Sequence, residues 1–211
     1  VYGVLMMYHT ASTERILEEA QKMQSYGAYG VIIMDSAGAS TPELVKRTIS
    51  TLSDNLYIKV GFHPHNNLGL AVANAYIAII EGASIIDGTL RGFGAGAGNC
   101  QLEALIALLL KEGFELNVDW YKMLDASENV VSRFMTDDRA LTTLSIVSGM
   151  SGVFSSFKTQ VLQAAETYEV DPRDIFIELG KNKVVAGQED MVIKIAEFLK
   201  NKKTIDQNVS F

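Results

Sequence analysis

Hydrophobic and polar positions divide the chain into two stretches of different period. Up to about residue 113, short apolar runs alternate with longer segments of helical spacing. Val4-Leu5-Met6-Met7-Tyr8, Val31-Ile32-Ile33-Met34, Leu56-Tyr57-Ile58-Lys59-Val60 and Ser84-Ile85-Ile86-Asp87 read as strands. The first is continuous in apolar residues, as a strand covered on both faces should be. Each strand leads into an amphipathic helix. The first helix has N-cap candidates from Thr10 to Ser12 and places Ile16, Leu17, Ala20 and Met23 on one face. The second opens on Thr41-Pro42-Glu43, an N-cap, a proline at N1 and an acidic first turn, and aligns Leu44, Val45, Thr48, Ile49 and Leu52. The third starts near Leu68 and carries Val72, Ala75, Tyr76, Ile79 and Ile80; the fourth is Leu102–Lys111. Strands recur about every 27–29 residues. This alternation predicts parallel strands joined by right-handed crossovers, in a doubly wound sheet or a barrel.

After Gly113 the strand period disappears. Asp119 caps a helix to about Val131, and a longer helix is predicted over 151–168, with Val153, Phe154, Phe157, Val161, Leu162, Ala165 and Tyr168 at helical spacing. Asp171-Pro172-Arg173-Asp174 opens a short helix that stops at Gly180, and Gln188-Glu189-Asp190 opens the last. The expected organisation is an α/β region over 1–115 and an all-helical region over 116–211.

Composition narrows the function classes. The 211 residues are 48% hydrophobic and 20% charged, an ordinary globular balance. No apolar run reaches the ~18 residues of a membrane span, and no targeting signal is visible. The net charge of −7 argues against a nucleic-acid partner. The single cysteine, Cys100, forbids internal disulfides and fits a reducing, cytoplasmic setting. Val1 opens directly into a buried-looking strand, so further residues are expected upstream.

In parallel α/β folds, ligands sit at the carboxyl ends of the strands. Those ends carry His9, Asp35, Ser36, His63, His65, Asp87 and Thr89, whereas the opposite ends carry only Gly, Ala, Tyr and Asn. His63 and His65 lie two residues apart in an extended segment, so both imidazoles face one point, and a divalent metal is the usual reason for such convergence. Two histidines leave a metal site incomplete; Asp35, Asp87 or a residue upstream of Val1 would supply the missing carboxylate. Asp35 and Ser36 lie beside this point, and one of them is expected to help hold substrate. His9 either lines the site or is structural. The loop Gly92-Phe93-Gly94-Ala95-Gly96-Ala97-Gly98-Asn99 does not fit a dinucleotide fingerprint: the frame from Gly92 finds Ala97 in third place, and the frame from Gly94 finds Asn99. Its glycines are expected to let backbone approach a small ligand or a neighbouring segment. Cys100 reads as a small buried residue. No G-x-S-x-G or H-E-x-x-H is present.

The stretch Gly61-Phe62-His63-Pro64-His65-Asn66-Asn67-Leu68-Gly69, with Glu81-Gly82-Ala83, Asp87-Gly88-Thr89-Leu90, Gly92–Asn99 and Leu102-Glu103, resembles the HMG-CoA-lyase-like family of metal-dependent TIM barrels. Gly152-Val153-Phe154-Ser155-Ser156-Phe157, Glu178-Leu179-Gly180 and Gly187-Gln188-Glu189-Asp190-Met191 resemble the communication domain of its 4-hydroxy-2-oxovalerate aldolase branch. The resemblance implies four β–α units forming the C-terminal half of a (β/α)8 barrel, followed by an all-α communication domain. It implies cleavage of 4-hydroxy-2-oxopentanoate to pyruvate and acetaldehyde, in aromatic or steroid catabolism. It also implies a divalent metal, manganese or else magnesium or cobalt, held by His63 and His65. Ser36 and His63 would contact substrate, and Phe154 stands where relatives carry a substrate-facing tyrosine. The helical region would dock an acylating acetaldehyde dehydrogenase.

The chain departs from the family pattern in one large respect. The family's L-R-D-G-x-x-H motif, with its catalytic arginine, third metal ligand and acid/base histidine, has no match here. Those residues are expected upstream of Val1, which leaves no catalytic residue in this chain and predicts weak metal affinity and little or no activity for it alone. Two alternatives stand beside the aldolase. A Claisen-type acyl-CoA synthase of the same superfamily would have a different C-terminal region. A non-catalytic module that only docks a dehydrogenase would bind its partner without turnover.

Overall fold

A computed structural model describes residues 1–135 and 141–209. Four strands, β1 (Tyr2–Met6), β2 (Gly30–Asp35), β3 (Lys59–Pro64) and β4 (Ile85–Ile86), form one parallel sheet in sequential order. Each is followed by a helix: α1 (Thr13–Ser25), α2 (Pro42–Asn55), α3 (Ala71–Ile80) and α4 (Leu102–Lys111). Sequential order with one helix per crossover is the winding of a (β/α)8 barrel over four of its units. Ser12 and Thr41 cap α1 and α2, each accepting a backbone N–H from three residues on, and Pro42 occupies the first turn of α2.

The core lies on the helix side of the sheet. Val31, Ile33, Val60 and Phe62 alternate along β2 and β3 and meet Ile16, Ala20, Val45, Ile49 and Leu52 from α1 and α2. The opposite face follows the register Val4↔Ile32, Ile32↔Gly61 and Gly61↔Ile85. On this face β1 is open: Tyr2, Val4 and Met6 are 42%, 43% and 54% exposed. The continuous apolar run predicted to be covered on both sides is therefore covered on one.

The remaining helices are α5 (Trp120–Asn129), α6 (Thr143–Ser151), α7 (Lys158–Tyr168), α8 (Pro172–Lys181) and α9 (Asp190–Val209). Val153, Phe157, Val161, Ile175, Phe176, Leu179, Val192 and Ile195 form a second core among α6 to α9. The single helix expected over 151–168 is in fact two elements. Helix α6 ends at Gly152, whose φ of 67° is the left-handed C-cap conformation glycine adopts without steric cost. A 3-10 turn, Ser155–Phe157, then leads into α7. Apolar spacing runs through this break because Val153 and Phe157 stay buried in the same core. Leu162, placed inward by periodicity, is 42% exposed. Among the described residues, no helix is long and apolar enough to cross a membrane.

Candidate metal centre at the carboxyl end of the sheet

The site is built where β3 leaves the sheet. His63 is the penultimate residue of β3, paired to Met34 of β2. His65 follows Pro64 and pairs with Asn99 of the glycine loop in an isolated antiparallel bridge. Extended backbone on both sides of Pro64 brings the imidazoles together, with ring centres 5.2 Å apart and planes inclined by 49°. The glycine loop is held to this segment by Asn66 N–H donating to the Gly98 carbonyl at 2.8 Å and Cys100 N–H donating to the Pro64 carbonyl at 3.0 Å.

The two imidazoles are in different states. His63 Nδ1 lies 3.3 Å from Asp87 Oδ2, a carboxylate–imidazole contact of the kind that fixes ring orientation. His65 is buried, and its Nδ1 has no hydrogen-bond partner among the described residues. Burial, with the neighbouring His63 adding to it, pushes the His65 pKa down to about 4. The ring is therefore neutral at neutral pH, the form in which imidazole binds a metal. An unpartnered, neutral, buried ring nitrogen beside a second imidazole fits a metal ion as two of its ligands. Among the described residues, no group of three or more His, Cys, Asp and Glu could hold one.

Neither aspartate considered as a third ligand serves as one. Asp35 is buried, and its two carboxylate oxygens accept the N–H groups of Ala39 at 3.0 Å and Ser40 at 3.1 Å. Burial pushes its carboxyl pKa above the usual carboxylate range, against those two N–H groups and His9. Asp87 orients His63. Asn99 sits opposite His65 in the bridge, but its amide is turned within the glycine loop, with Nδ2 donating to the Phe93 carbonyl at 3.0 Å and its buried Oδ1 without a hydrogen-bond partner among the described residues. The pairing that places Asn99 opposite His65 is a long-range property that no local pattern reports.

The other expected residues fall nearby but in varied roles. Ser36 is fully buried, and its Oγ accepts the Met7 N–H at 3.1 Å. His9 is held by its surroundings: its Nε2 lies 3.2 Å from the Gly152 carbonyl oxygen and its Nδ1 3.9 Å from Asp35 Oδ1. It thereby ties the end of β1 to the segment bearing Phe154, which is partly buried against the second core. Cys100 is fully buried, and burial, reinforced by Glu103, pushes its thiol up to about 12, which suits a packing role and not a nucleophile.

Two buried polar residues that the sequence offered only as parts of family motifs make long-range contacts. Glu103 Oε1 accepts Arg91 N–H at 2.8 Å, Gln101 Nε2 at 3.2 Å and Ser127 Oγ at 2.7 Å, joining the glycine loop to α4 and α5. Asn67 donates to Ser155 Oγ at 2.8 Å. An acid in the first turn of α4 and a doubled amide after the histidines were visible signals, but their partners are far along the chain.

Comparison with known proteins gives the family. The HMGL-like family model matches residues 1–130. The chain belongs to the HMGL-like family. A second model, the DmpG-like communication domain, matches residues 139–201. The chain is 51% identical over 208 residues to a 4-hydroxy-2-oxovalerate aldolase of Pectobacterium atrosepticum, covering 98% of this chain and 61% of that protein. It is 50% identical over 202 residues to one of Spirochaeta aurantia, covering 96% and 59%. The chain thus spans about three-fifths of the length of these curated relatives. Among solved structures, the carboxyl transferase domain of Rhizobium etli pyruvate carboxylase superposes with a TM-score of 0.71 at 14% identity, covering 96% of this chain and 37% of that one. An HMG-CoA lyase from Acinetobacter baumannii gives 0.58 at 21% identity, covering 68% and 51%. At these identities the structures speak for the HMGL-like fold alone.

Proposed function

We propose that the chain forms part of a divalent-metal-dependent aldolase that cleaves 4-hydroxy-2-oxopentanoate to pyruvate and acetaldehyde. The carrying observation is the His63–His65 pair, with the neutral His65 ring and its unpartnered Nδ1, at the carboxyl end of the sheet. Relatives named 4-hydroxy-2-oxovalerate aldolase at about half identity over nearly all of this chain give the reaction class. In this reading His63 and His65 hold the cation, manganese by preference, and Asp87 orients His63. A bound divalent ion supplies Lewis acidity toward a 2-keto acid.

The residues themselves do the remaining work that this chain contributes. His63 and Phe154 line the substrate side, and Ser36, fully buried with its Oγ accepting the Met7 N–H, would have to give up that bond to contact substrate. Phe154 lacks the hydroxyl of a tyrosine, so it shapes the aldehyde end by contact and donates no hydrogen bond. The arginine, aspartate and histidine of an L-R-D-G-x-x-H motif are supplied by the portion of the relatives' length that this chain does not span. Residues 1–115 form the barrel portion, and 116–211 form the communication region that docks an acylating acetaldehyde dehydrogenase. The setting is the reducing cytoplasm.

The test is metal binding with turnover. Manganese titration of the 211-residue chain, followed by electron paramagnetic resonance, is expected to show one weak site that His63→Ala and His65→Ala each weaken by at least about tenfold. Pyruvate release from 4-hydroxy-2-oxopentanoate is expected to be little or none. A site unaffected by both substitutions would sink the ligand assignment. Turnover at the rate of a whole aldolase would sink the division of residues between this chain and the rest.

A further inference from the structure

Asn67 closes the loop that carries both histidines, and it is fully buried. Its Oδ1 is buried without a hydrogen-bond partner among the described residues, and an unsatisfied buried polar group costs roughly 1–3 kcal/mol, so the amide is held by what its Nδ2 reaches. Those partners lie 78 and 88 residues away: Nδ2 donates to the Ser145 carbonyl at 3.4 Å and to Ser155 Oγ at 2.8 Å. Three glycine backbones close around this contact. A Cβ on Gly38 would stand 2.8 Å from Asn67 Cβ, one on Gly149 2.9 Å from the same atom, and one on Gly96 2.6 Å from Ser155 Cβ. The loops after β2 and β4, and helix α6, therefore all press against one amide–hydroxyl pair. The cavity left beside it, lined in part by Asn67, Ser145, Ser148 and Ser155, measures about 10 Å³. That is room for about one water molecule, so the pair is not a loose surface contact.

Ser155 is the neighbour of Phe154, and Asn67 follows His65 by two residues. We propose that Asn67 is a positioning residue whose amide locks the histidine loop to the Gly152–Phe157 segment, so that the His63–His65 pair and Phe154 are held as one unit. What that unit is used for rests on the aldolase reading; its existence does not. The His9 contact with the Gly152 carbonyl is a second tie to the same segment, from the end of β1. Gly96 also acquires a reason: the glycine loop has no side chain there because Ser155 occupies the space.

The experiment is hydrogen exchange read by mass spectrometry on the metal-free 211-residue chain, comparing wild type, Asn67→Ala, Ser155→Ala and the double variant. Reciprocity is expected. Ser155→Ala speeds exchange over residues 61–67, and Asn67→Ala speeds it over 152–157, each by about 3- to 10-fold, the factor of one hydrogen bond. The double variant is no faster than the faster single one. Acceleration confined to the substituted segment, or an additive double variant, overturns the proposal. If Asn67→Ala does not fold, Ser155→Ala, which removes one hydroxyl, carries the test alone. A cobalt(II) titration read in the visible d–d bands supplies the second arm. Ser155→Ala is expected to shift the bands and weaken binding by about tenfold. Reciprocal exchange in a chain that binds no cobalt overturns the metal reading and leaves the lock standing. Cobalt binding without reciprocal exchange does the reverse.

Discussion

At the scale of single residues, the balance between desolvation and hydrogen bonding decides which polar groups stay buried and charged. Burial alone would raise the Glu103 pKa, but the Ser127 hydroxyl, backbone N–H groups including that of Arg91, and Gln101 outweigh it and hold the carboxyl below the usual glutamate range. A depressed carboxyl pKa in the folded state gives stability that is fully present above the unfolded value, about 4.3. That stability is lost as pH falls through the lower, folded value. Glu103→Gln keeps the shape and one acceptor but exchanges charge-assisted bonds for neutral ones. The variant is expected to be less stable than wild type by about 1–2 kcal/mol at pH 7. The gap should close as pH drops from 5 toward 3, because wild type alone loses this contribution. Urea unfolding followed by circular dichroism at several pH values checks it; a gap that stays constant to pH 3 would show that the charge contributes nothing.

At the scale of elements, close approach overrides propensity. Gly149 lies within α6, where alanine would normally stabilise by about 1 kcal/mol. An added Cβ would stand 2.9 Å from Asn67 Cβ, 3.1 Å from Leu68 Cγ and 3.2 Å from the Gly38 carbonyl oxygen. Overpacking of this kind costs about 1–3 kcal/mol, and a backbone oxygen cannot rotate away. Gly149→Ala is therefore expected to lower stability by about 1–2 kcal/mol net, measured as a lower urea midpoint with unchanged slope. A stabilised variant would show that the junction yields. The same contrast explains what the sequence made legible. Alternating β and α periods, the Ser12 and Thr41 caps and the i, i+2 histidines are local, and the structure contains each of them. The break at Gly152, the shortness of β4, the burial of Asp35 and the Asn67–Ser155 contact depend on residues distant in sequence, and no local period reports them.

At the scale of the 211-residue chain taken by itself, the sheet face away from α1 to α3, where a (β/α)8 winding would place further strands, sets solution behaviour. Tyr2, Val4 and Met6 are about half exposed along edge strand β1, in register with Ile32 and Met34. Covering them returns on the order of 1 kcal/mol each, whereas association costs about 4 kcal/mol or more in lost freedom. These side chains alone cannot hold a tight dimer, but with the edge of β1 unpaired among the described residues they favour weak, concentration-dependent self-association of the 211-residue chain on its own. The chain is expected to bind the dye ANS, and its weight-average mass is expected to rise with concentration in sedimentation equilibrium. Val4→Lys should weaken both, leaving far-ultraviolet circular dichroism unchanged because position 4 is already 43% exposed. The lysine acts twice, removing an apolar side chain and adding like charge at any edge-to-edge contact. A wild-type chain that stays monomeric and leaves ANS dark would mean that this face is not apolar enough to matter. Loss of secondary structure in Val4→Lys would mean that Val4 packs against its neighbours more closely than its exposure indicates.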